Sequence, residues 1–210
     1  MNGSRRRISR RRATRGTDTR SGERGAVVVE AAILLPVITL LLFGLVEFGL
    51  LFKDELTVSS AAGATAREGA AIPKQPDYQD DMIEELNRRL TGTGLGSGDQ
   101  FVIYKADPGQ DNGLPDGATS EGEIWDACEA ATADCTRYEY NGTDWVQNGA
   151  ADWTAAEQSA CRDGELDQLG VWVNITHDYI TRFIGVGSRQ VTSRSLYALE
   201  PRLPGECEAT

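Results

Sequence analysis

The feature that most constrains this chain is an apolar stretch close to its start, because residues 31–46 contain no charged side chain. Continued to Phe52, the stretch is about 22 residues long, or roughly 33 Å as an α-helix. The hydrocarbon core of a bilayer is about 30 Å thick. The alternative is the buried helix of a large soluble core, but nothing else in the chain is large and apolar enough to surround it. We therefore predict a transmembrane helix over residues 26–52.

The flanks of this helix carry opposite charge. Residues 1–24 contain nine arginines and two acidic residues, a net charge of +7. Residues 53–210 contain twelve basic and 28 acidic residues, a net charge of −16. Because positive flanks stay on the cytoplasmic side, we expect a single-pass protein with residues 1–25 as a cytoplasmic leader or tail and the C-terminal region outside the cell membrane. An acidic outer region argues against nucleic acid as a partner.

A cleaved secretory signal peptide is the competing interpretation of the apolar stretch. Its apolar core is expected to span only about 7–15 residues and to end in a cleavage site with small residues. This stretch is longer and is followed by Glu47-Phe48-Gly49-Leu50. The sequence therefore favours a lasting membrane anchor.

The order of residues at the start of the helix is distinctive. Arg24-Gly25 precedes Ala26-Val27-Val28-Val29-Glu30, and the apolar run follows. This segment, RGAVVVEAAILLPVITLLLFGLVEFG, together with AAGATAREGA at 61–70, resembles the TadE-like proteins, the pseudopilin-like subunits of tight-adherence (Tad/Flp) pilus systems. The segment VTSRSLYALEP at 191–201 resembles them more weakly. Residues 75–185 add nothing to the resemblance.

The resemblance implies both processing and partners. A prepilin peptidase would cut between Gly25 and Ala26, which makes Glu30 the fifth residue of a mature chain of 185 residues (210 minus 25). The implied partners are other pilin-like subunits and the pilus assembly platform. Ala26 replaces the Phe that often begins classical pilins, and Ala31 replaces the Tyr that follows the Glu in Flp-type pilins. These departures disfavour a major pilin, and some family members stay anchored in the membrane with their tails attached.

Two acidic residues, Glu30 and Glu47, lie within the predicted transmembrane helix 26–52. An ionisable group within a membrane span suggests a function. We expect Glu30 to lie in water at the interface or, in a filament, to neutralise the new α-amino group of Ala26 on a neighbouring subunit. We expect Glu47 either to reach the outer interface or to contact a partner helix beside Gly44 and Gly49. Glu30 and Glu47 are thus our candidate assembly residues.

The helix is expected to continue outside the membrane over residues 53–70, which contain no proline, and to end at Gly69 and Pro73. Small residues at 59–66 would allow close packing against a sheet or another subunit. The alternative is a plain membrane-proximal stalk.

Residues 71–210 are long enough for one small extracytoplasmic domain. With the long transmembrane helix, they predict an α+β fold whose pilin-like domain has a mainly antiparallel sheet. The predicted elements are a helix at 77–90, a strand at 101–105, a loop at 107–122, a hairpin at 137–146, a short helix at 152–162, and strands at 171–176 and 189–199.

The four cysteines, Cys128, Cys135, Cys161 and Cys207, all follow the apolar helix. An even number in an oxidising compartment indicates disulfides, for which three connectivities are possible. We favour Cys128–Cys135, which closes a short loop, and Cys161–Cys207, which would join the C-terminus to the domain. A zinc site is disfavoured because no C-x-x-C pair occurs.

No catalytic, metal or cofactor site is expected. The oxygen donors Asp107, Asp111, Asn112, Asp116 and Glu121 lack EF-hand spacing, so a solvated loop is favoured over a calcium site. His177, the only histidine, lies beside Asp178, and an envelope enzyme with its site in 107–185 is a remote alternative. A closer alternative is a single-pass, membrane-anchored surface binding or adhesion protein that joins no filament.

Overall fold

The computed structural model describes residues 20–107, 109, 112–129, 134–149, 153–161, 164–180 and 187–202, with side chains described from Gly25 onward. Its compact units are Met1–Phe43 and Gly44–Thr210. The helices are α1 (Arg20–Ala71), α2 (Tyr78–Leu90) and α3 (Ile124–Ala127), the last preceded by a 3₁₀ turn at Glu121–Glu123. The strands are β1 (Gln100–Lys105), β2 (Cys135–Tyr140), β3 (Trp145–Gln147), β4 (Gln168–Asp178) and β5 (Ser188–Ala198).

The described part of the first unit is the N-terminal portion of α1. From Gly25 to Phe43 every side chain is exposed except that of Thr39, which is half-buried. A helix that is apolar on all sides has no polar face to turn toward water. Within the described residues, this is the one helix that is long and apolar enough to cross a membrane.

In the second unit, α1 and α2 pack together on one face of the sheet. Between Leu51 and Ala70, α1 has buried residues at helical spacing. Four of these buried residues are alanines. Tyr78, Met82, Leu86 and Leu90 follow at every fourth position of α2 and are fully buried as well. The small residues of α1 therefore allow close packing inside this unit. This agrees with the prediction that they pack against a sheet.

The sheet has five strands in the order β3-β2-β1-β4-β5, and every neighbouring pair is antiparallel. Its α1/α2 face carries Phe101, Val171, Val173 and further apolar residues. The opposite face carries Val102, Tyr104 and Trp172, which pack with α3 and the loop before it. Because both faces are covered, β1 is buried along its centre without alternation. This architecture confirms the predicted α+β class.

The predicted hairpin at 137–146 is confirmed by the pairing of β2 with β3. The Asn141 side-chain oxygen accepts hydrogen bonds from the backbone N–H groups of Thr143 and Asp144, both at 2.9 Å. Gly142 has φ +101°, a conformation that suits glycine. The turn thus depends on Asn141 and Gly142, two adjacent residues that can be recognised in the sequence.

The predicted short helix at 152–162 is wrong for the described residues 153–161, which contain only a turn at 155–157. Distant partners hold this segment instead. Tyr78 donates from its hydroxyl to the Trp153 carbonyl at 2.5 Å, and the Gln158 side chain accepts from the Lys74 N–H at 2.7 Å. These tertiary contacts outweigh the weak helical preference of the segment.

Candidate processing and assembly site

The predicted processing site lies in the exposed first part of α1. Gly25 and Ala26 are both exposed, and a Cβ added at Gly25 would meet no atom within 4 Å. Glu30 is exposed too. Because Ala26 and Glu30 are four residues apart in a helix, they lie on one face and one turn apart. The described residues thus place the predicted scissile position and the candidate assembly carboxylate one turn apart on the same face of α1.

Glu47 has a different environment from Glu30, since its side chain is only 2% exposed. Its Oε1 accepts a hydrogen bond of 2.8 Å from the backbone N–H of Ile180, just beyond β4. The carboxylate therefore has a partner within its own chain. Its role against a second helix stays a prediction.

Asp54 and His177 make a second polar contact between α1 and β4. The Asp54 Oδ2 lies 2.7 Å from the His177 Nδ1, and His177 is 5% exposed. Because Asp54 follows Glu47 by seven residues, both carboxylates lie on the same face of α1. Two adjacent polar contacts therefore join this face to the end of β4.

His177 and Asp178, neighbours in the sequence, lie on opposite faces of β4. Neighbouring strand residues point to opposite faces, and Asp178 is exposed while His177 is buried. Within the described residues, the His177 Nε2 is buried and has no hydrogen-bond partner. The histidine thus faces α1, where the Asp54 carboxylate contacts its Nδ1.

A disulfide joins Cys128 to Cys135, with 5.7 Å between the Cα atoms. Both cysteines are buried, and the bond ties the end of α3 to the start of β2. Cys161 is disulfide-bonded as well. Its predicted partner, Cys207, lies outside the described residues.

Three described oxygen donors of the 107–122 loop have separate partners. Asp107 accepts from the Gly109 N–H at 2.8 Å, Asn112 accepts from the Leu114 N–H at 3.3 Å, and Glu121 pairs with Arg194 at 3.2 Å. Asp116 is exposed, and Asp111 lies outside the described residues. Asp107 and Asp116 do share a cleft with further acids and with Lys105. The Lys105 ammonium lies 3.2 Å from Asp167, where it supplies positive charge to the cleft.

A buried carboxylate that sequence reasoning missed links β1 to β4. Asp99 accepts from the backbone N–H groups of Gly96 and Thr176, each at 2.8 Å. Burial raises the pKa of Asp99 above its usual value, although these hydrogen bonds act in the opposite direction. The sequence offers no signal for this contact because Thr176 lies 77 residues further on.

Together these features define a chain with one long, exposed apolar helix at its N-terminal end and a small antiparallel domain. The model of the TadE-like protein family matches residues 25–67. The match starts at the predicted processing glycine, includes Glu30 and Glu47, and covers about a fifth of the chain. It confirms the resemblance inferred from this segment. Searches of the curated proteins and of the solved structures found no match.

Proposed function

We propose that this chain is a membrane-anchored pseudopilin, or minor pilin-like subunit, of a tight-adherence pilus. Its work is assembly rather than catalysis. The apolar helix holds the subunit in the membrane and later packs among the helices of a pilus or of an initiating complex. The domain formed by β1–β5 is then displayed outside the cell for adhesion or at the tip. Its partners are other pilin-like subunits and the assembly platform.

The observation that carries this proposal is the position of the family match. Residues 25–67 comprise the predicted cleavage glycine, the exposed apolar helix and the small residues packed beneath the sheet. One element thus carries both the family resemblance and the apolar surface that assembly requires. Helix association within a membrane depends on such close packing and on polar pairs.

The charges support the proposed topology. The basic residues 1–24 belong on the cytoplasmic side by the positive-inside rule. Removal of residues 1–25 leaves twelve basic and 30 acidic residues, a net side-chain charge of −18. The Cys128–Cys135 disulfide suits an oxidising compartment outside the cytoplasm. The acidic domain therefore faces outward.

In assembly, Glu30 has the role of a register residue. Cleavage before Ala26 creates an α-amino group, and Glu30 of one subunit neutralises that amine on its neighbour. A subunit displaced along the axis would leave a buried charge without its partner, which costs several kcal/mol. This cost selects one axial position.

Glu30→Ala tests the proposal, with Glu68→Ala as the matched control because Glu68 is an exposed glutamate further along α1. We expect Glu30→Ala to lower the amount of the chain in sheared filaments by about tenfold or more, since an unpaired buried charge costs several kcal/mol. Its level in the membrane fraction and its thermal unfolding should stay unchanged, and Glu68→Ala should assemble normally. Normal incorporation of Glu30→Ala would refute the register role.

A membrane-anchored surface binding protein that joins no filament is the second candidate. The observation that favours it is the internal bonding of the second unit. Glu47 bonds to Ile180, Asp54 contacts His177, and the alanines of α1 pack beneath the chain's own sheet. These contacts join α1 to the rest of the unit within a single chain. This candidate predicts an uncut chain that stays in the membrane fraction of cells bearing pili.

A further inference from the structure

We propose that the end of β4 is a second contact with the membrane, so that Ile180 rests in the outer lipid interface beside the helix. This inference deepens the proposed function, on which it rests, because it requires the apolar helix to span a bilayer. It concerns the second unit alone, from Gly44 onward.

The position of Ile180 follows from its hydrogen bond to Glu47. The Ile180 N–H donates to the Glu47 Oε1 at 2.8 Å, so the two residues lie at the same level of α1. The apolar run extends five residues further, to Phe52, which is about 7 Å at about 1.5 Å per residue. A bilayer that covers the run to its end therefore reaches the level of Ile180.

The side chains at this level suit lipid rather than water. Ile180 is 72% exposed, Phe48 is 63% exposed and Phe52 is 60% exposed. Single exposed apolar residues are ordinary, but Phe48 and Phe52 lie one turn apart on α1, and the Ile180 N–H is bonded to Glu47 at the same level. Phe48 and Tyr179 line one cleft with Arg189, and Ile180 lines the next with Leu50 and Lys53. We name Phe48, Phe52, Tyr179 and Ile180 the margin of this part of the helix. The second cleft also contains the acids Asp54 and Asp178.

The polar groups of this margin suit the headgroup region. Tyr179 supplies an aromatic ring with a hydroxyl, a residue type enriched at membrane interfaces. Lys53 and Arg189 add positive charge here. The Lys53 ammonium donates to the Gly92 carbonyl at 3.0 Å, and the Arg189 guanidinium lies 3.8 Å from the Glu55 carboxylate. The buried Glu47 carboxylate has the Ile180 N–H as a partner, so this acid is compatible with the position.

The test uses the full chain reconstituted in vesicles of phosphatidylcholine with a minor share of phosphatidylglycerol, the phosphatidylcholine brominated close to its headgroup. Ile180→Trp places a fluorophore at the proposed contact, and bromine quenches tryptophan emission only at short range. Tyr197→Trp is the control, because Tyr197 is an exposed residue near the other end of β5, roughly 26 Å from Arg189 at about 3.3 Å per residue. Leu41→Trp lies near the middle of the apolar run, so it reports on the helix in a second set of vesicles, whose phosphatidylcholine is brominated at the ends of its acyl chains.

We expect the bromine near the headgroup to quench the emission added at position 180, and the bromine at the chain ends to quench the emission added at position 41. The emission added at 197 should stay unchanged in both sets of vesicles. Quenching at 41 without quenching at 180 would overturn the second contact and leave the membrane helix intact; the margin would then be open to a protein partner. Absence of quenching at 41 would overturn the transmembrane helix, and with it both proposals.

Discussion

Tyr104 and Gly170 show how closely the centre of the sheet is packed. The two residues are paired across β1 and β4, and the ring of Tyr104 lies directly over the glycine. A Cβ added to Gly170 would overlap the ring atoms. Tyr104 is fully buried, so the ring has no open space into which it can move. Glycine is therefore required here for space rather than for backbone conformation.

We expect Gly170→Ala to lower the free energy of unfolding by about 1–3 kcal/mol, the usual cost of overpacking a core. Gly94→Ala is the control, because a Cβ there meets nothing within 4 Å. Thermal unfolding of the detergent-solubilised chain, followed by near-UV circular dichroism, would measure both. Equal transition temperatures for the two variants would show that the Tyr104 ring can move to make room for the added Cβ.

Tyr104 also makes the free energy of unfolding of the domain depend on pH in the alkaline range. Burial raises its pKa to about 12 from a usual value of 10.0. The folded chain therefore keeps this proton at pH values where the unfolded chain has lost it. Ionisation favours the unfolded state as the pH rises from about 10 to 12, and the stabilisation is complete below that range.

Tyr104→Phe removes this titration, although it also removes the hydrogen bond from the hydroxyl to the Gly113 carbonyl at 3.2 Å. The variant should be less stable at neutral pH and should lose less stability between about pH 10 and 12, by about 2 kcal/mol at the upper end. Unfolding free energies measured across this range would show converging profiles. Profiles that stay parallel would contradict the buried-phenol explanation.

Among the elements, those set by local pattern were predictable and those set by distant contacts were not. The apolar positions of α2 repeat every fourth residue, and Asn141-Gly142 marks the hairpin, so both were correctly predicted. Trp153 and Gln158 look compatible with a helix, but their partners Tyr78 and Lys74 lie 75 and 84 residues away. No local pattern encodes those partners.

The polar contacts of the site illustrate the same limit. The bond of Glu47 spans 133 residues of sequence and that of His177 to Asp54 spans 123. The sequence identified Glu47 as unusual because it is an acid in an apolar stretch, but it could not supply the Ile180 N–H. By contrast, the processing and assembly roles predicted for Gly25, Ala26 and Glu30 rest only on the order of these residues along one helix.

The Cys128–Cys135 disulfide is a local element whose contribution can be isolated. It closes a short loop with a sequence separation of 7, and a loop of that size corresponds to about 2–3 kcal/mol of stabilisation in the chain-entropy description. The double variant Cys128→Ser/Cys135→Ser should unfold at a correspondingly lower denaturant concentration. Substitution is preferable to reduction because Cys161 is also disulfide-bonded. An unchanged midpoint would show that β2 and α3 hold this loop without the bond.

For the whole molecule, the proposal connects three regions of different chemistry. Residues 1–24 are basic, the TadE-like match begins at Gly25 within the apolar helix, and an acidic domain follows. In a pilin-like subunit the first is removed, the second is transferred from lipid to a helical bundle, and the third is displayed. A simple anchored protein would keep all three regions and leave the helix in the membrane.

The deciding measurement is the intact mass of the chain recovered from sheared filaments and, separately, from the membrane fraction of the same cells. The proposal predicts that the filament fraction contains a chain of 185 residues that begins at Ala26. Loss of prepilin peptidase activity should leave the uncut form in the membrane. A chain of all 210 residues confined to the membrane fraction of piliated cells would contradict the pilin mechanism.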